Sequence, residues 1–189
     1  MKLAHYAKSG QTRVGIVNDG AIHDLGSGAR RAGLGKLSSA PSIDWILAKG
    51  LLEKVVRAGP KIVKSTRGIP LSSVRLRSPI LSPEKILLVA VNYGSHGKET
   101  NVAPPSSPHF FTKFNNALIG PDEPIILPKV SKKVDWEVEL AVIIGKEAKY
   151  IEKSEALDHV AGYSVANDVS FRDYQLPQGW PDKLTPLGL

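Results

Sequence analysis

The sequence predicts a β-rich α+β protein, on three features of the chain. Short apolar runs bounded by Gly, Pro, Asn and Ser recur along most of its length. One stretch alone keeps a helical period. No run approaches the roughly 18 apolar residues of a membrane span. The composition is that of a globular protein: 189 residues, 42% hydrophobic and 23% charged, with 17 Gly and 14 Pro. Collagen-like, disordered and disulfide-scaffold classes are excluded on these values.

Lys2–Tyr6, Thr12–Val17 and Ala21–Leu25 read as the first strands, separated by Ser9-Gly10 and by Asn18-Asp19-Gly20. Asp-Gly between two apolar runs is a strong hairpin signal, because both residues tolerate the positive φ that a tight turn needs. A Gly/Ser stretch follows from Gly26 to Ser42 and reads as loop. In Ile43–Ala58, the residues Ile43, Ile46, Leu47, Leu51, Leu52 and Val55 recur at helical spacing, with Ser42 as N-cap and Gly59-Pro60 as the stop. Residues 1–73 are thus expected to form a small module of hairpins and one helix.

A second domain is expected over 74–189. Val74–Ser78 and Ile86–Tyr93 read as strands, followed by a helical turn at Ser95–Asn101 and a Pro/Ser loop at Pro104–Pro108. Further strands are expected at Phe110–Phe114, Ile125–Leu127, Val134–Ile144 and Val160–Asp168, with a helix at Ser154–Asp158. Many strands and few helices are the pattern of an α+β fold.

Charge divides the chain in two. Residues 1–80 hold 14 Lys and Arg against 4 Asp and Glu, whereas residues 81–189 hold 11 against 14. The positive charges are scattered, without a dense run or interleaved aromatic residues, so a solvated basic surface is expected rather than a nucleic-acid platform. Cysteine is absent, which excludes disulfides, thiolate nucleophiles and Cys-ligated metals. Neither a membrane partner nor a leader is expected from these residues, and a cytoplasmic location is the default expectation.

The acidic half carries the chemistry. In Val134-Asp135-Trp136-Glu137-Val138-Glu139-Leu140-Ala141-Val142, strand alternation puts Trp136, Val138, Leu140 and Val142 on one side, expected to face the core. It puts Asp135, Glu137 and Glu139 on the other. Neighbouring carboxylates repel unless water or a cation intervenes, and a hard divalent ion with oxygen ligands would turn that repulsion into binding. A solvated outer face of an edge strand is the competing reading of this segment alone. Asp168 adds a third carboxylate at the end of an apolar strand, a poor place for an uncompensated charge. Upstream, His96 and Glu99 stand three residues apart in the expected turn, so a carboxylate would orient an imidazole general base. A surface His–Glu pair is the alternative there.

Taken together, these segments resemble the fumarylacetoacetate hydrolase family. The resemblance runs through Asn92-Tyr93-x-x-His96-x-x-Glu99, Phe110-Phe111-Thr112-Lys113 and Ala117-Leu118-Ile119-Gly120-Pro121. It continues through Val134–Val142 and the stretch from Val160 to Gln175 that contains Asn167-Asp168-Val169-Ser170 and Arg172-Asp173. It implies a mixed β-roll catalytic domain, with the hairpin module as a variable N-terminal region. It implies a Mg²⁺ or Mn²⁺ site of Glu137, Glu139 and Asp168, a His96–Glu99 dyad moving a proton or activating water, and substrate contacts at Lys113, Arg172 and Gln175. The implied activity is metal-dependent hydrolysis of a C–C bond in a small 2-oxo or acylpyruvate-type acid, by a homodimer. Decarboxylation, isomerisation and hydration of similar acids are the alternatives within the family. Ala90 departs from the family's glycine, and Lys183 stands too close to Gln175 to match the family's lysine safely. The resemblance also implies a pocket-closing Gly-Thr-Pro loop that this sequence lacks. The chain is therefore expected to carry the ligands and dyad without the whole pocket, and an inactive binding module is the alternative to an enzyme.

Overall fold

The computed structural model describes residues 1–90, 92–93 and 106–175. The fold is mixed α+β and strand-rich, as the sequence predicts. Three strands open it: β1 (Lys2–Lys8), β2 (Gln11–Asn18) and β3 (Ala21–Asp24). Ser9-Gly10 and Asp19-Gly20, the residues of the two intervening turns, all take positive φ, as tight hairpin connections demand. Two short strands, β4 (Ile69–Pro70) and β5 (Arg75–Leu76), flank them. The result is an antiparallel sheet of order β4-β3-β2-β1-β5.

Helices cover this sheet. The Gly/Ser stretch expected as loop contains helix α1 (Leu25–Arg31) and a 3₁₀ turn at Gly35–Ser39. Asp24 starts α1, its Oδ1 accepting from the Ser27 N–H at 2.7 Å. The expected helix Ile43–Ala58 is two helices, α2 (Ile43–Ala48) and α3 (Leu52–Ser65). Gly50, at φ +60°, ends α2: its N–H bonds the Leu47 carbonyl and the Leu51 N–H bonds that of Ile46, both at 2.9 Å. Nor do Gly59-Pro60 stop α3, which runs through them to Ser65. Val55, Gly59 and Ile62 form one buried stripe on α3, so packing on both sides of the proline outweighs the missing hydrogen bond.

The core is built from Val14 and Ile16 of β2, Leu25 and Ala29 of α1, Leu37, Ile43 and Ile46 of α2, and Val55 and Ile62 of α3. Among the described residues, every buried hydrophobic side chain falls between Tyr6 and Ile62. His5 is buried with them. Its Nε2 accepts from the Ile43 N–H at 2.9 Å, which leaves Nδ1 to donate to the Ser78 carbonyl at 3.0 Å.

Two compact units divide the chain, Met1–Asp122 and Glu123–Leu189. The sequence expectation drew a boundary at 73/74, yet β5 hydrogen-bonds to Tyr6 and Ala7 of β1. The first unit also holds an antiparallel pair, β6 (Ile86–Ala90) with β7 (His109–Lys113). In the second unit, β8 (Val134–Asp135) pairs with β11 (Ser170–Phe171), and β9 (Val138–Ile144) pairs with β10 (Val160–Asn167). A 3₁₀ turn at Lys153–His159 precedes β10, and a short helix α4 (Arg172–Gln175) follows β11. The strand expected at Ile125–Leu127 is absent: these residues are irregular and exposed, without the ladder partner a strand requires.

Candidate functional site

The candidate site is assembled in the second unit by the break between β8 and β9. Trp136 and Glu137 interrupt the expected continuous strand. Asn167 fills the gap, its Oδ1 accepting from the Glu137 N–H at 3.1 Å. The Asp168 N–H then donates to the Glu137 carbonyl at 2.8 Å. Glu137 and Asp168 are thus tied backbone to backbone, and one pair further along the ladder Glu139 stands opposite Ala166. Asp168 is only 7% exposed, as its place at the end of β10 predicts.

Arg172 organises the other side. Its Nε donates to Asp135 Oδ2 at 3.0 Å, one terminal nitrogen meets Glu137 Oε1 at 3.0 Å, and the other donates to Gln175 Oε1 at 2.6 Å. Ser170 Oγ also donates to Glu137 Oε1, at 2.8 Å. The Arg172 hydrogen bond, aided by the Trp136 N–H, holds the Asp135 carboxyl below its ordinary value. Beneath them Asp173 accepts from Ser131 Oγ at 2.6 Å and from the Lys132 N–H at 3.0 Å, and these bonds lower its pKa in the same way. The guanidinium is the fork that locks two carboxylates in position.

The strand faces are the reverse of the expectation. Trp136, Val138, Leu140 and Val142, expected toward the core, are exposed, at 69%, 68%, 59% and 48%. Glu139, Ala141 and Ile143 on the opposite face are more sheltered. Alternation is legible in a sequence, but which face is covered depends on what packs there.

Other expected residues fall as follows. Lys113 closes β7 in the unit Met1–Asp122. His96, Glu99 and Lys183 lie outside the described residues. Sequence reasoning put Asp135 on the carboxylate face without its Arg172 contact, and missed the bonds that Asn167 and Ser170 make to Glu137. Their roles depend on the β8–β9 break, and the signal available was the Asn-Asp-x-Ser-x-Arg spacing after β10.

In chemistry the set Glu137, Glu139 and Asp168 suits a hard divalent ion, being all carboxylate oxygen. In register it presents the three from adjoining strand ends. The side chains are not drawn together, however: among the described residues no three acidic or imidazole groups converge closely enough to hold an ion. Glu137 Oε1 is instead engaged by Arg172 and Ser170.

Comparisons with known proteins identify the family. A model of the fumarylacetoacetate hydrolase C-terminal domain matches residues 85–186, more than half of the chain. The chain belongs to the fumarylacetoacetate hydrolase family. Among curated relatives of this family, the chain is 50% identical over 108 residues to the mitochondrial oxaloacetate tautomerase FAHD2A of Bos taurus, a match covering 57% of the chain and 34% of the relative. It is 47% identical over 127 residues to the corresponding protein of Rattus norvegicus, covering 64% and 41%. The chain therefore spans between a third and about two fifths of the length of these relatives.

Solved structures of the family extend the likeness to the N-terminal part. Fumarylacetoacetate hydrolase from Exiguobacterium antarcticum superposes with a TM-score of 0.69 at 31% identity, over 93% of this chain and 58% of that one. Maleylpyruvate hydrolase from Sphingobium sp. SYK-6, solved with manganese(II) and pyruvate, gives 0.68 at 30% identity over 91% and 60%. Family members so named are enzymes, including tautomerases, hydrolases and isomerases.

Proposed function

We propose that the chain carries the metal-binding half of an enzyme that enolises small 2-oxo acids. The observation that carries this reading is the Glu137–Asp168 backbone link, with Glu139 beside it and the Arg172 fork behind it. Interconversion of the keto and enol forms of a four-carbon 2-oxo diacid comes first, favoured by the 47–50% identity to proteins named oxaloacetate tautomerases. Hydrolysis of a C–C bond in an acylpyruvate-type acid is the second reading, favoured by the maleylpyruvate hydrolase fold match.

In either reading Glu137, Glu139 and Asp168 are the residues that would hold Mg²⁺ or Mn²⁺. The ion supplies electrophilic polarisation of the substrate's adjacent carbonyl and carboxylate oxygens. Arg172 keeps Asp135 ionised and holds the Asp135 and Glu137 side chains aligned. By the family resemblance, Lys113 in the first unit and Gln175 in the second are each assigned to substrate binding. His96, with Glu99 as its acceptor, takes the proton from the carbon next to the carbonyl and returns it to oxygen in the tautomerase. In the hydrolase the same imidazole deprotonates water.

Calorimetric titration with Mn²⁺ tests the site. Wild type is expected to bind one ion, and Glu139→Ala to bind about tenfold or more weakly, since loss of even a supporting residue costs that much. Unchanged affinity in the variant would sink the carboxylate assignment. Rates of enol-oxaloacetate ketonisation and acetylpyruvate cleavage, with and without chelator, then separate the two activities. A folded, metal-loaded chain that turns over neither substrate would be a binding module rather than an enzyme.

A further inference from the structure

The basic character of residues 1–80 has no part in the site above, and four of its fourteen cations line one concavity. A concavity of about 440 Å³ in the first unit is lined by Lys8, Arg13, Arg31 and Arg67, four cations from three separate segments. Lys8 and Arg13 come from the ends of the β1–β2 hairpin, Arg31 from the last turn of α1, and Arg67 from the loop between α3 and β4. Asp24 is the single carboxylate in the lining.

That carboxylate is already engaged. Oδ1 accepts from the Ser27 N–H, and Oδ2 accepts from Tyr6 Oη at 2.7 Å and lies 3.8 Å from Arg13. Arg31 is steadied by the Ser65 carbonyl at 2.8 Å, and Arg13 also by Gln11 Oε1 at 3.2 Å. Lys8 and Arg67 have no acidic partner among the described residues. Four positive charges against one neutralised carboxylate leave a local excess of three. Lining one concavity, they contribute fields of one sign to it. Thr66, Ile69 and Pro70 complete the wall and leave room for a small organic body beside the charge.

We propose that this concavity binds a compact dianion, a phosphoryl group or a short dicarboxylate, as a site separate from the carboxylate cluster of the second unit. A nucleic-acid strand fits less well, since the cations surround one hollow rather than following a track, and no aromatic face is exposed among the lining residues to stack a base. The ligand's charge meets guanidinium and ammonium donors in charge-assisted hydrogen bonds. Arg31 and Arg13 are held in place for this by their hydrogen bonds.

The test is an amide NMR titration of the full chain with inorganic phosphate and, separately, malonate, at ionic strength held constant with chloride. Saturable shifts clustered at Lys8, Arg13 and 67–69 are expected. Lys8→Gln/Arg67→Gln should weaken that binding about tenfold, because two charge-assisted contacts are lost. These two residues hold no other side chain in place, so the fold should persist. Lys54→Gln/Arg57→Gln, on the exposed face of α3, should leave it unchanged. Saturation by phosphate alone identifies a phosphoryl ligand, and by malonate alone a dicarboxylate. Shifts that spread over every basic side chain, equal weakening in the α3 control, or no saturation at millimolar anion would each overturn the proposal. So would binding of single-stranded DNA that displaces phosphate and ignores Lys8→Gln/Arg67→Gln.

Discussion

Asp24 shows how much a single carboxylate can determine. It caps α1, accepts the Tyr6 phenol and faces Arg13. These donors hold its pKa low against burial, while burial and the Asp24 bond push the Tyr6 phenol up. Asp24→Ala should cost about 1–3 kcal/mol in urea unfolding, combining a lost cap with a phenol left unpaired. Tyr6→Phe should recover part of that loss in the double variant. His5 makes a second prediction. Burial lowers its pKa from the usual 6.5, against the opposing pull of the Ser78 carbonyl and Asp44. The unfolded chain therefore takes up the proton first as pH falls. His5 contributes stability that is complete above about 6.5 and is lost as pH drops below that toward the folded value. An NMR titration of the His5 ring should show a midpoint under 6.5, and a midpoint at or above it would refute the assignment. Neither role was legible in the sequence, because the partners of His5 stand 38 and 73 positions away. Asp168 was legible, because a charge at the end of an apolar strand needs a reason wherever its partners lie.

At the scale of elements, local chemistry predicted existence better than boundaries. The Asp-Gly hairpin stands where its turn residues place it. The helix over Ile43–Ala58 had the right period and the right start, with Ser42 as N-cap, but the wrong continuity and stop, since Gly50 outweighs the run of apolar residues and Pro60 fails to stop α3. Helix α1 was missed because its residues, Leu-Gly-Ser-Gly-Ala-Arg-Arg, have poor helix propensity. It exists because Asp24 caps it and because it lies close against α3. A Cβ at Gly28 would come within 2.5 Å of Ile62 Cγ2 and 3.2 Å of the Ile62 carbonyl oxygen. Gly28→Ala should accordingly destabilise the first unit by about 1–3 kcal/mol, as overpacking does. A Cβ at Gly59 would meet the far end of the Met1 side chain at 2.8 Å and Ile16 Cδ1 at an ordinary 3.8 Å, so Gly59→Ala should be neutral or stabilising because alanine is the better helix former. Thermal melts of the two variants check both directions, and equal destabilisation would remove the close-approach argument.

For the molecule as a whole, apolar surface is unevenly distributed. Among the described residues the buried hydrophobic side chains all lie between Tyr6 and Ile62, whereas β9 and β10 display Val138, Leu140, Val142, Ile144, Tyr163 and Val165 along one face, with Trp136 beside them. Each is about half exposed or more, a set larger than the scattered apolar residues of an ordinary surface. The sequence showed the alternation clearly, but coverage is a property of neighbours in space. Val142→Lys/Val165→Lys should raise solubility and reduce binding of an apolar dye such as ANS, without altering unfolding of the first unit. Unchanged dye binding would mean that the face is covered in solution. Trp136 makes the same face self-reporting. Its indole stands in water at the edge of the patch, so its emission should be red-shifted and open to acrylamide. Any polypeptide that settles on β9 and β10 would shield it, giving a blue shift without an added label.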